Sequence, residues 1–124
     1  MPSLTLDDNS ALYQIRAYQP GGITVNDKTI SSSIIITPTK LIESWAPQTI
    51  SELTAESLAI IMEIRPDILL IGTGAVISIV PPEIYGSLIN QGIGVEWMDT
   101  SAACRTYNAL SAENRNVAAA LIIK

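Results

Sequence analysis

Apolar residues in this chain fall into short Ile/Val/Leu-rich runs separated by Gly, Pro and Asn turns, and their period switches between two and three-to-four. Residues 12–19 alternate imperfectly, Pro20-Gly21-Gly22 forms a turn, and Ile23-Thr24-Val25-Asn26 follows it, which is a hairpin signal. Asn26-Asp27-Lys28 marks a second turn, and residues 29–37 read as one β-rich strand closing on Pro38. The N-terminal third is therefore predicted to be a small antiparallel unit. Residues 39–48, with Trp45-Ala46-Pro47, read as a connection.

Helical spacing then takes over. Thr54 is placed as an N-cap, Glu56 lies in the first turn, and Leu58, Ile61 and Met62 form one buried face before Pro66 ends the helix. Residues 67–72 are predicted as a buried strand and residues 75–80 as a second β-branched run. Pro82 at the first helical position and Glu83 beside it open a helix with the face Ile84, Tyr85, Leu88 and Ile89, closed by Gly92. A strand over 93–98, a helix over 101–114 and a strand over 117–123 follow. From Asp67 onward the order is β, β, α, β, α, β, which implies right-handed crossovers and an α/β fold. Its central sheet should be largely parallel or mixed, with helices against it and an N-terminal antiparallel β-hairpin.

At 124 residues the chain is expected to form one α/β domain over 11–124, preceded by a flexible polar N-terminus over 1–10. Apolar residues make up 48% and charged residues 15%, which excludes a disordered chain. The longest apolar run, residues 68–80, contains Gly72 and Gly74 and falls short of the roughly 20 residues a spanning helix needs, so no membrane insertion is expected. The net charge of −5 without any Lys/Arg cluster argues against nucleic acid and against an acidic membrane surface. No signal or transit pattern is visible over residues 1–15, and the lone cysteine cannot form an internal disulfide; the expected location is a prokaryotic cytoplasm. With no histidine and one cysteine, nucleophile–histidine pairs, His-based zinc sites and thiolate clusters are excluded. No catalytic residue, metal site or cofactor is expected.

The candidate site sits where strands end. Gly72-Thr73-Gly74 follows a strand, but position 77 is Ile, so the dinucleotide fingerprint is incomplete and a tight turn is the simpler reading. Asp99-Thr100 opens a helix, with Thr100 as the expected cap and a ligand role as the alternative. At about 100° per residue, Ala103, Tyr107 and Leu110 define the packed face of that helix. Cys104 falls on its border, Asn108 further round, and Arg105 nearly opposite. Cys104 reads as a small packed hydrophobe, against a thiol activated by Arg105. Arg105 is solvated, paired with Asp99 or Glu96, or an interface anchor. Glu113 and Arg115 read as a surface pair; Glu63, Glu83 and Glu96 suggest no carboxylate dyad; and Trp45 and Trp97 read as core.

One set of residues carries a resemblance: Ile71-Gly72-Thr73-Gly74, Pro82, Leu88, Gly92-Ile93-Gly94, Val95-Glu96, Met98-Asp99-Thr100, Ala102-Ala103-Cys104-Arg105-Thr106-Tyr107-Asn108, Leu110, Glu113, Arg115 and Val117-Ala118-Ala119-Ala120-Leu121. They resemble a family of small domains that includes mitochondrial complex I assembly factor 3 and single-domain proteins of bacteria and archaea. Ile23, residues 33–38 and Trp45 match more loosely, so the resemblance covers residues 11–123. It implies a three-layer α/β fold with an extra hairpin, and a non-catalytic adaptor or assembly factor working through a protein partner or a second copy of the chain. The alternative is a small-molecule binder or enzyme with a pocket at the strand ends. Gly72, Thr73, Gly74, Asp99, Thr100, Cys104, Arg105 and Asn108 are the binding candidates under either reading.

Overall fold

The computed structural model describes residues 11–124; the flexible segment expected over 1–10 lies outside them. In chain order the elements are β1 (Ile15–Gln19), β2 (Gly22–Val25), β3 (Lys28–Ile30), β4 (Ile34–Ile36), β5 (Leu41–Ile42), α1 (Ile60–Ile64), β6 (Ile68–Gly72), α2 (Pro82–Asn90), β7 (Gly94–Met98), α3 (Thr100–Ala112) and β8 (Val117–Leu121). Strands β1-β2-β3 form an antiparallel sheet. The other five form a mixed sheet in the order β5-β4-β8-β6-β7, with β6 parallel to both β7 and β8 and β4 antiparallel to β5 and β8.

Each face of the mixed sheet has its own apolar core. Along β8, Val117, Ala119 and Leu121 join Ala103, Cys104 and Tyr107 of α3 and the inner residues of the small sheet, Ile15, Ile23, Val25 and Ile30. Ala118 and Ala120 face the opposite way, toward Ile61 of α1, Leu88 of α2, Trp45 and Leu53. A strand buried on both faces has no polar side, which is why β8 is apolar throughout. The layers are thus α3 with the small sheet, the mixed sheet, and α1 with α2.

Several expectations are corrected. The N-terminal hairpin is a three-stranded sheet, and the single strand over 29–37 is two: Ser31-Ser32-Ser33 carry the chain from one sheet to the other. Ile30 is buried in the first sheet, while Ile34, Ile35 and Ile36 enter the second with both faces covered. The connection over 39–48 contains β5, paired with β4 through Ile35–Ile42 and Ile36–Leu41. Thr54 does cap by exchange with Ser57: Thr54 Oγ1 accepts from Ser57 N at 3.1 Å and Ser57 Oγ accepts from Thr54 N at 3.1 Å. A 3-10 turn at Glu56–Leu58 follows before α1, which ends at Arg65 with φ 51°. On α2, Leu88 is buried but Ile89 is half-exposed, so the buried face is narrower than its spacing suggested.

Residues 75–80 form no strand. Both sides of β6 are already occupied, by β7 and by β8, and Gly74 at φ +110° turns the chain out of the sheet. Thr73 then holds the loop, its Oγ1 donating to Val76 O at 2.8 Å and accepting from Ser78 N at 3.1 Å. Only Val80 of this run returns to the core. Val76, Ile77 and Ile79 are 70%, 60% and 81% exposed.

Candidate functional site

The parallel register sets Gly72 of β6 beside Met98 of β7 and Leu121 of β8, so the turns after β6 and β7 emerge on one edge. Thr73 N donates to Met98 O at 2.8 Å and Thr100 N to Gly74 O at 2.9 Å. Thr100 Oγ1 accepts from Gly74 N at 2.8 Å and donates to Ile122 O at 2.6 Å. Thr100 is therefore a buried cross-link between three segments and not the helix cap. The cap is Asp99, whose Oδ1 accepts from Ala102 N at 2.8 Å. A shorter side chain pointing inward is free to serve the sheet because the preceding carboxylate serves the helix.

These bonds leave the glycine turn filled by protein. A Cβ on Gly72 would meet Thr100 Oγ1 at 2.8 Å and Leu121 Cδ2 at 2.9 Å, and one on Gly74 would lie 2.7 Å from Lys124 O. Gly74 N–H, the donor a phosphate would need, is already bonded to Thr100. Of the sequence candidates, Gly72, Thr73, Gly74 and Thr100 come together as close-packed structure.

Cys104, Arg105 and Asn108 line a second feature, a groove of about 160 Å³ between α3 and β1 that also involves Ile15, Arg16, Ala17, Tyr18 and Ser101. Asn108 acts there as a surrogate strand: its Oδ1 accepts from Ile15 N at 3.1 Å and its Nδ2 donates to Ile15 O at 2.7 Å. Tyr107 OH donates to Tyr13 O at 2.8 Å. Together the two side chains tie the small sheet to α3. Arg105 is exposed and donates from Nη1 to Ser101 Oγ at 2.8 Å, making no ion pair with Asp99 or Glu96. Tyr18 OH donates to Ile123 O at 3.1 Å, which lays the hairpin across the end of the mixed sheet.

Arg16 and Tyr18 were not singled out from sequence. The pairing of β1 with β2 slips between Ile15 and Ala17, so Arg16 occupies a β-bulge. A bulge re-aims the side chain it carries, but it depends on the partner strand and leaves no local signature in an Ile-Arg-Ala-Tyr stretch.

Cys104 is buried, and burial pushes its thiol up to about 12 against the opposing pull of Arg105, with Asp99 adding to the rise. Burial likewise raises the Tyr107 phenol. Both acids hold their protons more firmly in the folded state than in the unfolded one. Their contribution is complete below the unfolded thiol range and declines as pH rises above about 8.5, joined by the tyrosine above about 10. Folded protein at pH 7.5 is expected to resist iodoacetamide and to become reactive on unfolding in urea; full alkylation within minutes without denaturant would contradict the burial of the thiol.

Small-molecule sites occupy about 300–1,000 Å³, so the α3–β1 groove is undersized for one. A concavity of about 410 Å³ lies elsewhere, lined by Tyr13, Asn26, Asp27, Lys28 and Glu43 among others. Of its three charged residues, Lys28 and Glu43 are already paired at 2.7 Å, which leaves Asp27. Among the described residues no group of three His, Cys, Asp or Glu side chains is placed to hold a metal ion. No helix there is long and apolar enough to cross a membrane.

With this arrangement established, comparison with known proteins places the chain. Residues 15–122 match the family described as protein of unknown function (DUF498/DUF598). The chain belongs to this family. Among its relatives is NADH dehydrogenase [ubiquinone] 1 alpha subcomplex assembly factor 3 of Danio rerio, 34% identical over 97% of this chain and 70% of the relative. The chain spans about 59–70% of the length of the vertebrate assembly factors it matches. A Francisella tularensis protein named 13 kDa major membrane protein is 32% identical over 86% of this chain and 88% of the relative. The DUF498 fold is also seen in the crystal structure of a Bordetella parapertussis protein, with a TM-score of 0.84, 39% identity, and coverage of 92% of this chain and 98% of that one. The family resemblance drawn from the Ala-Cys-Arg-Thr-Tyr-Asn stretch and the mixed α/β architecture both hold.

Proposed function

We propose that this chain is a non-catalytic adaptor of the assembly-factor type, acting in a prokaryotic cytoplasm by contact with a protein partner. The observation that carries the reading is the loop after Gly74. Val76, Ile77 and Ile79 stand 60–81% exposed within four positions, on a loop fixed by the Thr73 hydroxyl rather than left loose. Exposed aliphatic clusters of this kind mark protein or membrane contacts, and we take the first. Holding the loop in place reduces the ordering cost on binding. The relatives named as complex I assembly factors support the same class of role. The small-molecule alternative has less support, because the strand-end turns are filled and the neighbouring groove holds about 160 Å³.

The test is affinity capture from the native organism with the wild-type chain and with an Ile77→Ser/Ile79→Ser variant, alongside thermal melts. Both side chains are largely in water, so melting should change little. The variant is expected to lose the specifically captured protein, at least tenfold by quantitative mass spectrometry, as removal of two interface anchors would produce. Equal capture by both chains would remove the loop as a docking surface. Light scattering of the purified chain reads out the remaining form of partner, a second copy.

A further inference from the structure

We propose that Arg16 and Arg105 form a two-arginine clamp for carboxylate side chains on an acidic segment of the protein partner. The proposal rests on the adaptor reading and names the chemistry that the partner brings. Three observations converge on it.

First, Arg16 of β1 and Arg105 of α3 line the same groove although they are 89 positions apart in the chain. The chain has seven basic residues against twelve acids, so two arginines in the lining of one small concavity, with no acid in that lining, is a local reversal of its charge.

Second, neither arginine takes part in an ion pair among the described residues. Among the described residues the ion pairs are Lys28–Glu43 at 2.7 Å and Arg115–Glu113 at 4.0 Å. Arg105 spends one donor on the neutral Ser101 hydroxyl, which steadies the side chain without cancelling its charge. Asp99, the carboxylate at this end of α3, caps the helix through Ala102 N and its charge reaches Cys104 and Tyr18 of the groove, which leaves two arginines against one carboxylate.

Third, Arg16 is on a bulge. The register slip between Ile15 and Ala17 breaks the regular alternation of β1 at this residue, and the Asn108 amide fixes the backbone of Ile15 immediately before it. Bulges are enriched at sheet edges and beside functional sites, where they re-aim a side chain or end the pairing.

The groove, at about 160 Å³, is too small for a drug-sized ligand, which leaves single carboxylate side chains of a peptide lying across it as the fitting occupants. Arginine pairs suit this ligand, since each planar fork can hold a carboxylate by two parallel N–H···O bonds. The aliphatic loop over 76–79 leaves the same edge of the sheet, where Gly74 is bonded to Thr100. The partner segment that fits both features combines aliphatic residues with nearby Asp or Glu.

The clamp is tested with a defined probe, an acetylated and amidated hexaglutamate peptide, titrated into the labelled chain while the arginine Nε–Hε resonances are followed by NMR. Hexaglutamine and inorganic phosphate serve as parallel titrants. The expected result is saturable shifting of the Arg16 and Arg105 resonances by hexaglutamate, absent with hexaglutamine and weakening with salt. Either Arg16→Gln or Arg105→Gln should weaken binding about tenfold, as loss of a charged hydrogen-bond donor does. Arg65→Gln, at the other end of β6, should leave it unchanged. Phosphate binding as tightly as the peptide would overturn the peptide assignment in favour of a small-anion site. Absence of saturable shifts, or their persistence in both variants, would overturn the clamp. None of these outcomes bears on the aliphatic loop, so capture by the Ile77→Ser/Ile79→Ser variant judges the adaptor reading separately.

Discussion

Tyr107→Ala is expected to lower stability by about 3–5 kcal/mol, the range for truncating a buried aromatic side chain. The ring is fully buried among Ile15, Ile23, Ala103 and Val117, where α3, the small sheet and β8 meet. Its hydroxyl is the donor that Tyr13 O receives at 2.8 Å. The alanine variant loses both the volume and the tie, so the small sheet loses one of its anchors to α3. Tyr107→Phe separates the two effects. It keeps the ring and removes one hydrogen bond, which should cost about 1 kcal/mol. Urea unfolding of both variants is the measurement. An alanine variant within about 1 kcal/mol of wild type would mean that the junction is not the centre of the packing.

The second large effect is expected at Gly74. Its φ of +110° is closed to ordinary side chains, and a Cβ would lie 2.7 Å from the backbone oxygen of Lys124. Backbone strain of about 1–3 kcal/mol and a steric conflict of similar size both oppose Gly74→Ala. The loss should be about 2–4 kcal/mol. Gly86, within α2, provides an internal comparison: nothing lies within 4 Å of its added Cβ and its φ is helical. There alanine should stabilise by about 0.5–1 kcal/mol. Thermal melts of the two alanine variants should shift in opposite directions, and matching shifts would contradict the close-approach argument.

The fold was legible where burial follows a simple period. The runs at β6 and β8 and the helical spacings of α2 and α3 were recognisable, because strands covered on both faces must be continuously apolar and helices covered on one face must repeat every three to four residues. Residues 75–80 misled for a reason that lies outside them. Ala75-Val76-Ile77-Ser78-Ile79-Val80 has strand composition, but the places beside β6 are taken by chain segments far away in sequence. Its β-branched side chains face solvent instead. The strand over 29–37 failed similarly, since nothing local distinguishes three serines inside a strand from three serines crossing between sheets.

The candidate site was half legible. The edge could be located from the alignment of parallel strand ends, and α3 was correctly seen to put Ala103 and Tyr107 inward and Arg105 outward. The roles of Asp99 and Thr100 were interchanged because either side chain can cap a helix; only the position of Ile122 O decides which one turns inward. Asn108 gave no sign of its job, which is defined by the exposed edge of a strand 93 residues earlier. Arg16 was missed because a bulge belongs to a pair of strands.

The position of β8 has a consequence for how the protein is made. This strand is the keystone of the mixed sheet: β4 and β5 lie on one side of it and β6 and β7 on the other. A nascent chain that has emerged only as far as Asn116 therefore holds two strand pairs with no shared neighbour, and both inner edges, β4 and β6, open to strangers. The final ladder must also bridge from Leu121 back to Ile34, a long loop closure of the kind that slows folding. Until residues 117–121 arrive, the most apolar surfaces of the chain stay uncovered. Closure of the mixed sheet therefore waits on β8, whichever of the two strand pairs forms first.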